Sequence, residues 1–304
     1  MNAERTVVLE PGRLWTRVIE QTEYALRTGA LQSIPTDYEF IEQNGISFLV
    51  RTLSNLVRKD EAQQQAKSTT IGKDFNPFLP YEEDLFVADI SDTHLCLLNK
   101  FNVVDHHLLI ITRAFEDQEN WLNWRDFQAM WVTLAEIDGL AFYNGGKIAG
   151  ASQKHKHLQL VPLPLAPQKV KLPIENAIAS AQFTGFIGTS PMFPFVHAIA
   201  LLDPNWIASP DSAATATLEC YQKLLHAVGI DTNEFKSDKQ SGAYNLLATR
   251  QWMLIVPRSQ ESFESISVNS LGFAGSLFVR NDEQMQILKH YGPMTVLQQV
   301  SLEC

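Results

Sequence analysis

Along the 304 residues, apolar positions recur at helix spacing in three stretches and alternate with polar ones in several shorter runs. Between Trp124 and Asp138, Phe127, Met130, Trp131, Leu134 and Ile137 fall on one helical face, and Gly139 ends the pattern. Leu218, Tyr221, Leu224, Leu225 and Val228 do the same within 213–228, ahead of Gly229. A third helix is predicted over 12–29, carried by Leu14, Val18 and Ile19 and stopped by Gly29. Strands are predicted over 46–51 and 140–143, and as a hairpin pairing 93–98 with 107–112. A further hairpin pairs 244–248 with 252–256 around Thr249-Arg250-Gln251. Residues 268–279 read as a strand interrupted by Gly272 and Gly275, and two short helices flank Gly292-Pro293. Residues 58–73 are polar and read as an exposed loop, 75–81 as a proline-punctuated extended segment, and 162–195 as a proline-rich connection.

One strand carries chemistry. In Asn144-Gly-Gly-Lys-Ile-Ala-Gly-Ala-Ser-Gln-Lys-His155-Lys-His157-Leu-Gln159, two histidines and a glutamine occupy alternate positions behind a loop of small residues. In a strand over 155–161 they share one face, and Leu158 and Leu160 point the other way. Small loop residues let backbone N–H groups approach an anion closely. Three readings of the histidine pair stand at this point: a structural pair, a metal site, or a phosphate site with a working imidazole. A closed zinc site needs about four ligands, usually including Cys, and no Cys lies near this segment.

Composition narrows the setting. Net charge is −10, which argues against nucleic-acid binding, since that rests on cationic footprints, but leaves room for a small polyanion met by a local cluster. Cys96, Cys220 and Cys304 are too few and too scattered for a disulfide framework, so a reducing compartment is expected. No targeting core and no membrane-length apolar run are present, so the expected location is cytoplasmic, with no membrane partner. The chain length admits one large domain or two smaller ones.

Taken together, several segments resemble the dinucleoside tetraphosphate phosphorylases, or ATP adenylyltransferases, of the histidine-triad superfamily. They are Asn76-Pro-Phe-Leu-Pro80, Leu97-Leu-Asn99-Lys100-Phe101, His107-Leu-Leu-Ile-Ile-Thr112 and Asn144 through Gln159. In the second half they are Tyr244-Asn245-Leu-Leu, Val256-Pro-Arg258 and Asn269-Ser-Leu-Gly-Phe-Ala-Gly275. The resemblance implies an α+β fold with a histidine-triad-like mixed, largely antiparallel sheet, flanking helices and strands from both halves of the chain. Residues 1–165 are then expected to form the catalytic region and 166–304 to complete the fold and pocket, as one compact unit.

The same resemblance implies cleavage of diadenosine tetraphosphate by inorganic phosphate to ATP and ADP. His157 would be the nucleophile at the α-phosphorus, and His155 would orient the site or bond a phosphate oxygen. Imidazole suits the task, being substantially unprotonated near neutrality at a pKa of about 6.5. Gln159 stands where hydrolytic relatives carry a third histidine; a carboxamide can hold a phosphoryl oxygen but cannot activate water, which favours transfer to phosphate. Gly150, Ala151, Ser152 and Gln153 are expected to cradle phosphates, and Asn144, Asn99 and Lys100 to contact substrate. Asn99 and Lys100 read equally as a turn residue and a solvated charge. Lys59 aligns loosely with a polyphosphate-binding lysine. Asn245, Thr249 and Arg250 are expected near the distal phosphates or base, and Arg258 there or as a surface cap to its strand. His107 is read as supporting the fold or bordering the pocket. A divalent cation, Mg²⁺, is expected to arrive with the substrate phosphates rather than in a dedicated cage. The alternatives are a related enzyme acting on another nucleotide, such as a nucleotide sugar, and a non-catalytic nucleotide sensor.

Overall fold

A computed structural model describes residues 7–53, 76–165, 171–231 and 237–303. The three periodic stretches are helices: Leu14–Thr28, Trp124–Glu136 and Pro210–Ala227. The second starts on a capping box, in which the Asn123 side chain accepts from the Arg125 and Asp126 N–H groups and the Asp126 carboxylate accepts from the Asn123 N–H. Among the described residues, short helices Glu175–Ala179, Ser270–Phe273, Asp282–Tyr291 and Pro293–Val300 complete the set.

The strands are β1 (Thr36–Gln43), β2 (Ile46–Leu53), β3 (Phe86–Asp89), β4 (His94–Leu98), β5 (Leu108–Thr112), β6 (Gly139–Gly145) and β7 (His157–Pro162). They continue as β8 (Gln182–Thr184), β9 (Ile187–Thr189), β10 (Ala198–Leu201), β11 (Tyr244–Ala248), β12 (Trp252–Pro257), β13 (Ser262–Phe263), β14 (Ile266–Ser267) and β15 (Ser276–Val279). Ten of them form one sheet in the order β3-β4-β5-β7-β6-β11-β12-β10-β9-β8, every adjacent pair antiparallel. A second sheet, β1-β2-β15, contains a parallel pair, which makes the fold mixed α+β with a large antiparallel sheet.

The halves of the chain meet in the middle of the large sheet. β6 lies between β7 and β11, with Phe142 opposite Gln159 and Asn144 opposite Asn245. Side chains alternate across β6. Ala141 and Tyr143 pack into a core shared with helices Trp124–Glu136 and Pro210–Ala227. Leu140 and Phe142 pack into a second core with Leu271, Phe273, Leu288 and Leu297 from the C-terminal helices. Both faces are therefore covered, which is why β4, β5, β6, β11 and β12 are buried along their whole length.

Three expectations change. Residues 268–279 are not one strand: the Asn269 Oδ1 accepts from the Leu271 N–H and starts the turn of helix Ser270–Phe273, and β15 follows only after Gly275 at φ +84°. The proline-rich stretch 162–195 is more than a connection, because it contributes a helix and the β8–β9 hairpin that ends the large sheet. The described part of the segment expected to be extended, residues 76–81, is mostly turns. The loop expected over 58–73 lies outside the described residues.

Candidate active site

A cavity of about 990 Å³ opens against the face of the large sheet that carries His157 and Gln159. This is the upper end of the roughly 300–1,000 Å³ usual for small-molecule sites. One wall is first-half chain, with Asn99, His107, His157 and Gln159; the other is second-half chain, with Asn269, Arg280 and Gln284. A smaller groove of about 510 Å³, beside Phe186, Lys223 and His226, holds none of the expected residues.

His157 is buried at the first position of β7. Its Nδ1 lies 2.7 Å from the backbone oxygen of His155, so Nδ1 carries the proton and Nε2 keeps its lone pair. Burial pushes the His157 pKa down to about 4; the hydrogen bond to the His155 carbonyl opposes this and the His155 ring adds to it. The imidazole is thus neutral and fixed in one tautomer where it lines the cavity. Phe78 meets the rings of His155 and His157 edge-on, at centroid distances of 5.6 and 5.4 Å.

His155 does not share that opening. It is joined to Asp117 by an isolated bridge just before β7. Its Nε2 faces the Thr112 oxygen at 2.7 Å, and its Nδ1 accepts from Asn76 Nδ2 at 2.8 Å. With both ring nitrogens engaged inside the protein, it orients His157 through its carbonyl rather than reaching a phosphate. Burial lowers its pKa too.

Gln118 secures the backbone of His157. Pairing of β6 with β7 stops at Phe142 and Gln159. Past that point the Gln118 carboxamide lies between the strands: its Oε1 accepts from the His157 N–H at 2.8 Å, and its Nε2 donates to the oxygens of Asn144 at 2.9 Å and His157 at 3.3 Å. On the opposite side of the strand, Lys156 is 1% exposed. Its Nζ bonds Asp126 at 2.6 Å, Glu116 at 3.1 Å and the Trp121 oxygen at 2.9 Å. Asp126 also faces His94 Nε2 at 3.1 Å. Burial alone would raise the Asp126 carboxyl, but Lys156 and His94 outweigh it and bring its pKa from 3.8 to about 2.

Gln159 lines the cavity with its Oε1 2.9 Å from His107 Nε2, and His107 Nδ1 lies 3.2 Å from Asn99 Nδ2. Asn144 also reaches the cavity. Its Oδ1 accepts from Asn245 Nδ2, the Ser270 N–H and the Ser270 hydroxyl, which leaves its amide nitrogen for a ligand. The small-residue loop is partly self-satisfied, because the N–H groups of Gly150 and Ala151 donate to Lys147 and Gly146 oxygens. Gly150 sits at φ +88°, and a Cβ there would meet the Val268 oxygen at 2.7 Å. The cavity receives Gly150, Ser152 and Gln153, while Ala151 is not among its lining residues, so the cradle is narrower than expected. Lys100 reaches the cavity with its Nζ paired to Glu82 at 2.6 Å.

Five expected contacts are placed elsewhere or fall outside. Asn245 is wholly buried behind Asn144, donating to Asn144, Ala149 and Ser270. Arg258 is a buried clamp rather than a surface cap: its Nε, Nη1 and Nη2 make five bonds, to Val300, Asn245, Val268, Gln260 and Glu261, and use every donor it has. Thr249 and Arg250 lie at the far end of the β11–β12 hairpin, because β11 runs from Asn245, beside the site, away to Ala248. There Thr249 bonds the Gln251 N–H within the turn, and Arg250 bonds the last carbonyls of helix Trp124–Glu136, those of Leu134 and Ala135. Lys59 lies outside the described residues.

Sequence pattern does not mark Gln118 or Arg280, and it gives His107 no part beside Gln159. Gln118 and His107 act through contacts 39 and 52 residues away, which local spacing does not reveal. Asn76 was legible as part of Asn76-Pro-Phe but without its histidine partner. Among the described residues, no cluster of three or more His, Cys, Asp or Glu could hold a metal ion. Nor is any described helix long and apolar enough to cross a membrane.

The chain matches known proteins over most of its length. Residues 4–180 match the family model for the Ap4A phosphorylase N-terminal domain, and residues 191–303 that for the ATP adenylyltransferase C-terminal domain. The chain is 27% identical over 270 residues to diadenosine 5',5'''-P1,P4-tetraphosphate phosphorylase 2 of Saccharomyces cerevisiae, covering 81% of this chain and 80% of that one. It is 26% identical over 295 residues to Protein APA1 of the same organism, covering 90% and 88%. The crystal structure of yeast Ap4A phosphorylase Apa2 in complex with Ap4A superposes with a TM-score of 0.79 at 22% identity, covering 97% of this chain and 99% of that chain.

Proposed function

The chain belongs to the Ap4A phosphorylase and ATP adenylyltransferase family, and on that premise we propose that it cleaves diadenosine tetraphosphate with inorganic phosphate to ATP and ADP, reversibly, through an adenylyl group carried on His157. The observation that carries this reading is the state of His157: neutral, buried, and held with Nδ1–H on a carbonyl so that Nε2 is the nucleophile.

In the first step Nε2 attacks the α-phosphorus, the bond to the β-phosphate oxygen breaks, and ATP leaves. The positive charge that develops on the ring is met by the His155 carbonyl already bound to Nδ1–H. In the second, a phosphate oxygen attacks the same phosphorus, the P–N bond breaks with its electron pair returning to the imidazole, and ADP leaves. The amide groups of Asn144 and Gln159, with Ser152 and Gln153, are the donors for the phosphoryl oxygens, and Lys100 and Arg280 the cations for the polyphosphate. Among the described residues, the carboxylate lining this cavity is Glu82, which is paired with Lys100. A divalent cation would enter with the substrate's phosphates.

The test is product analysis with diadenosine tetraphosphate, with and without phosphate, together with labelling by α-labelled nucleotide. The expected result is ATP and ADP only with phosphate present, and an acid-labile, alkali-stable label on the protein that is absent from His157→Ala. AMP and ATP formed without phosphate would make the protein a hydrolase, and turnover retained in His157→Ala would remove the histidine intermediate.

A further inference from the structure

Gln159 is expected to hold a phosphoryl oxygen, yet a carboxamide presents a donor or an acceptor according to which way its end is turned. The surroundings decide which. His107 stands just before β5, and Leu109 is the residue opposite Gln159 in the β5–β7 ladder, so the two side chains meet on the cavity face. The position of His107 is fixed by its backbone: its carbonyl accepts from the Asn99 N–H at 2.8 Å as the β4–β5 hairpin closes. Its ring rests against Phe142 at a centroid distance of 5.8 Å.

The polarity of the chain follows from donor chemistry. Asn99 Nδ2 is a donor, so His107 Nδ1, 3.2 Å away, accepts. The ring proton then sits on Nε2, which donates to Gln159 Oε1 at 2.9 Å. Gln159 Oε1 is thereby occupied, and its Nε2 amine is the end that remains for the cavity. Gln159 Oε1 is turned to His107 and His107 Nδ1 to Asn99, so the group this wall presents to the cavity is the Gln159 amine.

We propose that His107 is a positioning residue, which holds the Gln159 carboxamide with its amine toward the transferred phosphoryl group and so selects phosphate over water as the acceptor. The inference rests on the adenylyl-transfer reading above. Phosphate arrives with an anionic oxygen; it forms its P–O bond as the P–N bond breaks, and no proton has to be removed. Water forming the same bond must shed a proton, and the Gln159 amine cannot take it. Releasing Gln159 lets its oxygen turn inward, which repels the phosphoryl oxygens and hinders the anionic phosphate more than neutral water, so the share of product formed by water rises.

The test is a cycle of His107→Phe, His107→Gln, Gln159→Ala and the double variant His107→Phe/Gln159→Ala, assayed for ATP, ADP and AMP. His107→Phe should lower phosphorolysis about tenfold, the effect of one transition-state hydrogen bond misplaced, and raise the AMP share while the KM for diadenosine tetraphosphate changes little. His107→Gln, which can still donate, should recover most of the loss. In the Gln159→Ala background, His107→Phe should have no further effect. Equal losses from His107→Phe in both backgrounds, or an unchanged product ratio, would overturn the proposal. A second measurement works without turnover: ¹⁵N spectra should show His107 as the Nε2–H tautomer, perturbed by Gln159→Ala. An Nδ1–H tautomer overturns the positioning role whether or not the protein is active. The expected tautomer in a protein that forms no ATP would overturn the activity alone.

Discussion

His157 differs from a solvated histidine in where its single proton sits and in how hard a second one is to add. Burial and the His155 ring bring its pKa to about 4, so the imidazole stays unprotonated far below the ordinary 6.5. Protonation removes the Nε2 lone pair, so the rate is flat above about pH 4 on account of this group and falls as pH drops through it. Single-turnover release of ATP, measured without phosphate so that the acceptor's own titration does not intrude, should show its acid limb near pH 4. A limb near 6.5 would mean that the ring is solvated in the working enzyme. The alternation that pairs His157 with Gln159 was legible in the sequence because a strand's period of two is local. Arg258 was not. A lone arginine after a proline reads as a surface charge, and only folding brings five acceptors from four separate segments around it.

At the scale of elements, the long amphipathic helices and both hairpins were legible, since each shows its period over enough residues. β1 was overlooked because its residues are half exposed and give no clean alternation. Residues 268–279 were misread because an Asn cap and two close-packed glycines fold apolar residues into a short helix, which composition alone does not separate from a strand. The strand that carries His157 depends on a helix through Lys156 and Asp126. Replacing Lys156 by Met leaves the Asp126 carboxylate buried without its cation, and the expected loss of stability is about 3–5 kcal/mol, read from the urea midpoint. The pair also sets an acid limit. Asp126 has its folded pKa depressed from 3.8 to about 2, so its contribution is complete above about pH 4 and is lost as pH falls toward 2. That contribution is about 2 kcal/mol, and the Lys156→Met protein should show little of this pH dependence. An unchanged urea midpoint in Lys156→Met would show that the ion pair contributes no net stability.

At the scale of the molecule, the site is cut into the seam of one sheet. β6 from the first half is hydrogen-bonded to β11 from the second, and Asn144 is held by Asn245 and Ser270 across that seam. A chain severed between residues 180 and 191 should give fragments that stay unfolded separately, by circular dichroism, and regain strand signal and nucleotide binding when refolded together. A first-half fragment that folds alone and binds nucleotide would contradict this. The family match covers both halves, yet the join between them could not be derived from local pattern, since strand neighbours a hundred residues apart leave no periodic trace. Lys156 adds a consequence for how that sheet assembles. It sits between the two histidines, pointing into the protein while His157 points into the cavity. Sliding the strand by one residue would turn the lysine toward the opening and drive both imidazoles toward the helices, leaving Asp126 stranded without its cation. The buried charge therefore makes the misaligned sheet the costlier of the two arrangements before any nucleotide is present.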